Sequence, residues 1–358
     1  MTRTLRTLGG IAILALTAGA IAGEFALTSE SSPSPSLSTH PMVATTDPTT
    51  DPSTTTTPTT DPSTTPSTAT TSATITLSPG WRSVSCPTTS FCMAVGAMGT
   101  ASAWDGSAWT APAKVAAPVL RSVSCPTTSW CMAVGLEGGS AHTSDAVVWD
   151  GSTWGTPVAV TTDPNVLGLA SVSCPTTSFC MAVAWGSSEA YTWDGSVWVN
   201  ASPSTTTPLL SVSCPTTSFC AAVGGNRALT WRSGVWSLPV RPIPLSSIPP
   251  PARSMISVSC ATASSCMAVG YRGYTGAAGR VVTWDGSTWA TSLLSTSPFS
   301  EALVGVSCAV DGACSVVEGN GEIATQIGPT LSTPEPAVPP GADHGISCPA
   351  SGWCAVVG

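Results

Sequence analysis

The chain has 358 residues, of which only 8% are charged, and its net charge is −8. That balance removes the electrostatic basis for holding nucleic acid. With so few charges, solubility has to come from Ser, Thr, Asn and Gly.

The N-terminus reads as an export signal over residues 1–22. Arg3 and Arg6 supply positive charge, Leu8 to Ala22 is apolar, and Ala20-Ile21-Ala22 is a small-x-small cleavage pattern. Cleavage would leave Gly23 first. The competing reading is an uncleaved anchor, although Glu24 ends the apolar run short of the roughly 20 residues a span needs. No other membrane association is expected. Residues 23–72 are dominated by Ser, Thr, Pro, Ala and Asp, a composition that buries no core, so a disordered stalk is expected there.

Residues 73–358 form one repetitive domain. Seven C-x5-C pairs recur 39 to 49 residues apart, and no cysteine is left over. They are Cys86 with Cys92, Cys125 with Cys131, Cys174 with Cys180, Cys214 with Cys220, Cys260 with Cys266, Cys308 with Cys314 and Cys348 with Cys354. In an oxidising compartment these are seven disulfides. Five intervening residues is an unusual zinc spacing and the chain's histidines are His40, His142 and His344, so neither a metal nor any other cofactor is expected.

In the first unit Arg82-Ser-Val-Ser-Cys86 alternates as a half-buried strand, Pro87 to Ser90 turns the chain, and Cys92 to Gly96 returns. Thr100 to Trp104 is a third strand, Asp105-Gly106 a tight turn, and Ser107 to Thr110 a fourth strand. Four short antiparallel strands in each of several repeats predict an all-β, seven-bladed β-propeller with one disulfide inside each blade. The last unit, Ile346 to Gly358, stops after two strands. Thr74-Ile-Thr-Leu77 is expected to add a fourth strand to it from the other end of the domain, leaving the third missing; a truncated reading frame is the alternative.

These motifs resemble known propeller repeats. Ala-Val-Gly at the end of the second strand, then an Asp-containing turn and a Trp, is similar to a shortened kelch repeat. Asp-Gly-Ser-x-Trp resembles a contracted Asp-box of sialidase-like repeats. Ser-Cys-Pro with Trp-Asp-Gly resembles a group of exported, actinobacterial-type repeat proteins. The resemblance implies the fold and is nearly silent on activity.

Five Trp pairs at i, i+5, beginning with Trp104 and Trp109, are expected to pack blade against blade. Asp105, Asp150, Asp194 and Asp285 precede Gly and are expected to make turns rather than bind calcium. Propeller geometry puts these turns on one face. The variable second-to-third loops fall on the other, where a binding surface is expected. Its candidates are Glu137, His142, Asp145, Glu189, Arg227, Tyr271, Arg272, Tyr274 and Arg280, most of them in two long loops, Leu136 to Ala146 and Tyr271 to Arg280. A glycosidase of the sialidase-like class needs converging Arg, Tyr and acidic groups. Arg272, Tyr274 and Glu318 supply the residue types, but their spacing does not demand a site.

The chain therefore reads as an exported or cell-surface, monomeric, non-catalytic binding or display module. Its expected ligand is an extracellular polysaccharide or a surface protein. A glycan-active hydrolase and a purely structural surface protein are the alternatives.

Overall fold

The computed structural model describes residues 73–74, 80–117, 119–136, 144–242, 253–272, 279–291, 301–327, 330–340 and 344–358. These lie in the second of two units into which the chain divides, Thr65–Gly358. The expected export signal and the whole of the expected stalk fall outside the described residues, as do Glu137, His142 and Tyr274.

The described residues form seven sheets, six of them built on four-stranded blades whose strands follow chain order from inside to outside. Blade one is Trp81–Thr88, Phe91–Gly96, Thr100–Trp104 and Ala113–Lys114. The inner strands of blades two to six are Val119–Thr127, Leu169–Thr176, Ser211–Thr216, Arg253–Thr262 and Leu303–Cys308. The fourth strand of blade one does not begin at Ser107. Trp109 makes a single bridge to Trp104, and the ladder resumes only at Ala113–Lys114, opposite Thr100 and Ala101.

The expectation of seven blades needs correction: six are complete. The seventh disulfide lies in a three-stranded sheet, Gly345–Ala350 and Trp353–Val357 with Ala73–Thr74. Ala73 lies opposite Ala355 and the pairing is parallel. The N-terminal strand thus takes the third place, not the fourth. The physical reason is direct, since without a third strand a fourth has no ladder to bond, whereas the open edge of Trp353–Val357 offers one.

The cysteines pair as their spacing predicts. Cys86 is bonded to Cys92, Cys125 to Cys131, Cys174 to Cys180, Cys214 to Cys220, Cys260 to Cys266, Cys308 to Cys314 and Cys348 to Cys354. Each bond joins the first strand of a sheet to the second across the hairpin turn, with Cα atoms 3.9 to 4.2 Å apart. The first six lie inside complete blades, whereas Cys348 and Cys354 staple the three-stranded sheet. Every bond reinforces short strands rich in Ser and Ala.

The apolar core is divided among the gaps between consecutive sheets. Met93, Val95 and Ala101 of blade one, for example, pack on Leu120, Val123 and Cys131 of blade two. Trp81, Val84 and Ala94 of blade one pack on Ala355 and Val357 of the seventh sheet, so the series of gaps closes on itself. The tryptophans fill the outer part of these gaps, as expected. Phe91 stacks on Trp149 of the next blade at 5.2 Å between ring centroids, Phe179 meets Trp231 at 5.4 Å, and Phe219 meets Trp284 at 6.3 Å.

Serine hydroxyls join the sheets around the axis. Each inner strand is an edge strand with no neighbour on its axial side. There the N–H of every first cysteine donates to the Oγ of a serine in the preceding sheet: Cys125 to Ser85, Cys174 to Ser124, Cys214 to Ser173, Cys260 to Ser213, Cys308 to Ser259 and Cys348 to Ser307, at 2.9 to 3.0 Å. Cys86 to Ser347, at 2.9 Å, closes the circle. A second circle uses the serine two residues earlier; Val123, for example, donates to Ser83 at 3.1 Å. That circle is interrupted where Gly305 and Gly345 replace the serine. A Cβ at Gly345 would lie 2.9 Å from the Ser83 Cα, and one at Gly305 would lie 2.9 Å from the Val317 Cγ1. At Gly345 the two sheets approach too closely for a side chain, whereas at Gly305 the close atom belongs to the paired strand of the same sheet.

Candidate functional site

Just before the serine pair, the inner strand slips register. The irregularity falls between Trp81 and Ser83, Leu120 and Ser122, Leu169 and Ser171, Met255 and Ser257, and Leu303 and Gly305. The residue in the slip is Arg82, Arg121, Ala170, Ile256 or Val304. A bulge of this kind bends the strand and re-aims one side chain, here toward the axis. Leu210 and His344 hold the same place immediately before Ser211–Thr216 and Gly345–Ala350.

These seven positions form the wall of one axial cavity of about 600 Å³, completed by Trp185 and Tyr271. A smaller space of about 190 Å³ adjoins it, lined by the same seven residues and by Ser83, Ser122, Ser171, Ser211, Ser257, Gly305 and Gly345. In circular order the wall is divided in two. His344, Arg82 and Arg121 come from three consecutive sheets and make a basic arc, while Ala170, Leu210, Ile256 and Val304 make an aliphatic arc. The Arg121 guanidinium lies over the Trp185 ring, 4.6 Å from its centroid. Such a contact holds the guanidinium plane. Trp185 itself is 45% exposed.

The cysteines take no part in this wall. The second cysteine of each pair, Cys92, Cys131, Cys180, Cys220, Cys266, Cys314 and Cys354, is buried, and neither it nor its partner lines the cavity or the smaller space. Their contribution is to fix the hairpins from which the wall residues project.

The opposite end of the propeller carries the uniform turns. The Trp104 Nε1–H donates to the Thr89 carbonyl at 3.3 Å, which brings the third-to-fourth turn beside the first-to-second turn of the same blade. Asp105, Asp150, Asp194 and Asp285 each accept from the N–H and hydroxyl of the serine two residues on and from the N–H of the residue after it. The N–H of Thr153, then the Ser152 hydroxyl, hold the Asp150 carboxyl down at about 2. Asp105, Asp194 and Asp285 are lowered by the same pattern of bonds. The four carboxylates are occupied as turn acceptors. Their glycines take positive φ of 95° to 101°, which favours Gly at that position.

Among the residues singled out by sequence, Tyr271 lines the cavity. Asp145 does not lie in a loop; it belongs to the strand Ser144–Trp149, faces Ala159 and is buried. The expected loop from Leu136 is therefore shorter, because Ser-Asp-Ala-Val-Val continues the alternation of the third strand. Tyr271 and Arg272 likewise extend the second strand of blade five, and Gly279 and Arg280 begin its third. Glu189 accepts a short hydrogen bond from the Tyr191 hydroxyl. Burial, with Glu189 adding to it, pushes the Tyr191 hydroxyl up to about 12. Arg227 opens the third strand of blade four opposite Gly224.

Sequence reading passed over Arg82, Arg121, Trp185 and His344 as site residues. A signal for three of them was available: in every repeat they occupy the position before Ser/Gly-x-Ser-Cys, where the seven units differ most sharply in chemistry.

No family model matches the chain, so none of the repeat families it resembles is matched, and no curated protein matches it. Among solved structures it is similar to the WD40 β-propeller domain of Doa1, with TM-score 0.57 and 12% identity over 77% of this chain and 89% of that one. It is also similar to U3-55K, with TM-score 0.56 and 10% identity over 76% and 86%. At these identities the likeness establishes a β-propeller and goes no further.

Proposed function

We propose that this chain is an exported, non-catalytic binding module, and that the seat of its ligand is the axial cavity. On this reading residues 1–22 direct export, and the segment to residue 72 is a stalk. Seven intramolecular disulfides are compatible with an oxidising compartment.

The observation that carries the proposal is the division of the cavity wall. Seven structurally equivalent positions hold Arg and His on one side and Ala, Leu, Ile and Val on the other, with two aromatic rings completing the wall. Trp185 and Tyr271 beside the arginines meet one need of a sugar seat, aromatic planes next to polar groups, but four of the seven equivalent positions are aliphatic. An aliphatic half-wall instead suits apolar side chains, so a protein partner fits better than a polysaccharide. A sialidase-like glycosidase would need an acidic group converging with Arg and Tyr, and the residues that line the described wall bring arginines and Tyr271 but no carboxylate.

Selection from a displayed random-peptide library tests this, with the Trp185→Ala, Tyr271→Ala double variant as counter-selection and a panel of extracellular polysaccharides alongside. The expected result is peptides enriched by the wild type and not by the variant. Enrichment that ignores the two substitutions, or retention by polysaccharide alone, would overturn the protein reading.

A further inference from the structure

We infer that the axial cavity receives the C-terminal end of a polypeptide, with the terminal carboxylate on the Arg82 and Arg121 side and an aliphatic last side chain against Leu210, Ile256 and Val304. This rests on the reading of the cavity as a protein-binding seat and adds which part of the partner enters it.

Three features of the cavity select that chemistry. The first is the pairing of opposites across a small space, with a basic arc of three consecutive positions facing an aliphatic arc of four in about 600 Å³. A residue at a chain end carries a carboxylate and a side chain on one Cα, diverging at roughly the tetrahedral angle. It can meet both arcs at once. An acidic side chain inside a polypeptide cannot, because its carboxylate and its apolar neighbours lie on different residues of a chain that has to pass through.

The second feature is the smaller space beside the cavity. The adjoining space holds only about 190 Å³, and serines and glycines join the same seven wall residues around it. A chain can be inserted from the mouth but has little room to continue, which favours an end over a loop. The serine hydroxyls already accept from the N–H groups of the next sheet, as Ser122 does from Val172 at 3.1 Å.

The third feature is sign. The chain as a whole is acidic, with 11 Lys and Arg against 19 Asp and Glu, yet two of those arginines stand side by side on this ring. A free amino acid would bring an ammonium group toward them, whereas the nitrogen of a last peptide residue is acylated and neutral. Guanidinium groups match a carboxylate through paired donors, and the Trp185 ring under Arg121 keeps one of them oriented.

Fluorescence anisotropy with the full oxidised chain tests the inference. The probes are dye-labelled Gly-Ser-Gly-Ser-Gly-Leu as the free acid, its C-terminal amide, and the free acid ending in Ala in place of Leu. The free acid is expected to bind about tenfold or more tightly than the amide, the usual scale for a charge-assisted hydrogen bond. The Arg82→Gln, Arg121→Gln double variant should erase that difference while near-UV circular dichroism stays unchanged. Ile256→Ser should reduce the preference for Leu over Ala and leave the acid-over-amide ratio intact.

Equal binding of acid and amide by the wild type, or a ratio that survives loss of both arginines, would overturn the inference. The wider reading is scored separately by the library. Peptides displayed with a blocked C-terminus that still require Trp185 and Tyr271 would preserve a protein seat while removing the chain-end assignment.

Discussion

The hydroxyl of Ser124 substitutes for a strand neighbour. It accepts the Cys174 N–H at 2.9 Å on an edge that no strand covers, and a buried N–H without a partner is costly. Ser124→Ala is expected to lower stability by about 1–2 kcal/mol, the range for leaving a partly buried donor unsatisfied. A urea titration of the oxidised chain checks this, and an unchanged midpoint would mean that water replaces the hydroxyl at no cost.

Glu318 is the residue whose charge is most at odds with its setting. It is 1% exposed and occupies the place that Gly96 holds in blade one, accepting the Glu301 N–H at 3.3 Å. Burial pushes its carboxyl up to about 7, with the charges of Glu322 and Glu301 adding to the rise. Because the folded pKa lies above the unfolded value of roughly 4.3, the folded state holds more protons than the unfolded state between them. Stability contributed by Glu318 therefore falls as pH rises from the unfolded value through about 7. Glu318→Gln should flatten this slope, seen as a smaller drop in Tm between about pH 5 and about pH 8; an identical drop in the variant would refute the assignment. The turn aspartates act with the opposite sign. Their lowered pKa values give stability that is present at neutral pH and is lost only in acid, as pH falls through those values.

At the scale of the element, the hairpins were the most legible part of the sequence. Cys86 and Cys92, with Pro87 to Ser90 between them, fix strand, turn and return by local chemistry alone, and Asp105-Gly106 does the same for the next turn. The bulges were not legible. Arg82-Ser-Val-Ser-Cys86 alternates smoothly on paper, and nothing in that pattern says that pairing slips by one residue between Trp81 and Ser83. The candidate cavity depends on that slip, so most of its wall was missed, whereas Tyr271 was found because aromatic residues are scarce near the second-to-third loops. The parallel pairing of Ala73–Thr74 was equally hidden, since it depends on an open edge at the far end of the chain, Ala355 and Val356.

The interrupted serine circle gives a sharper test of element packing. By pattern, Gly345 should be a serine like those at Ser83 or Ser122, and the substitution would supply an acceptor for the Val84 N–H. By geometry, its Cβ would lie 2.9 Å from the Ser83 Cα and 3.1 Å from the Arg82 carbonyl oxygen. These are backbone atoms that cannot move aside alone. Gly345→Ser is thus expected to destabilise by about 1–3 kcal/mol, as overpacking does. Thermal unfolding decides between the two views, because a gain in Tm would show that the missing hydrogen bond matters more than the clash.

At the scale of the whole molecule, repetition and departure from repetition have separate roles. Disulfides, serine acceptors and stacked aromatic rings recur from sheet to sheet and hold the propeller together. The position just above the serines varies from sheet to sheet, and there the chain places charge on one arc and aliphatic side chains on the other. The measurement that tests this division most directly is arginine footprinting. The full chain, alone and with a bound peptide, is treated with phenylglyoxal and modification is read by mass spectrometry. Arg82 and Arg121 are expected to be protected by the ligand, while exposed Arg241, which is not part of the cavity, reacts equally in both states. Protection at Arg241 with none at Arg82 and Arg121 would contradict the placement of the seat on the axis.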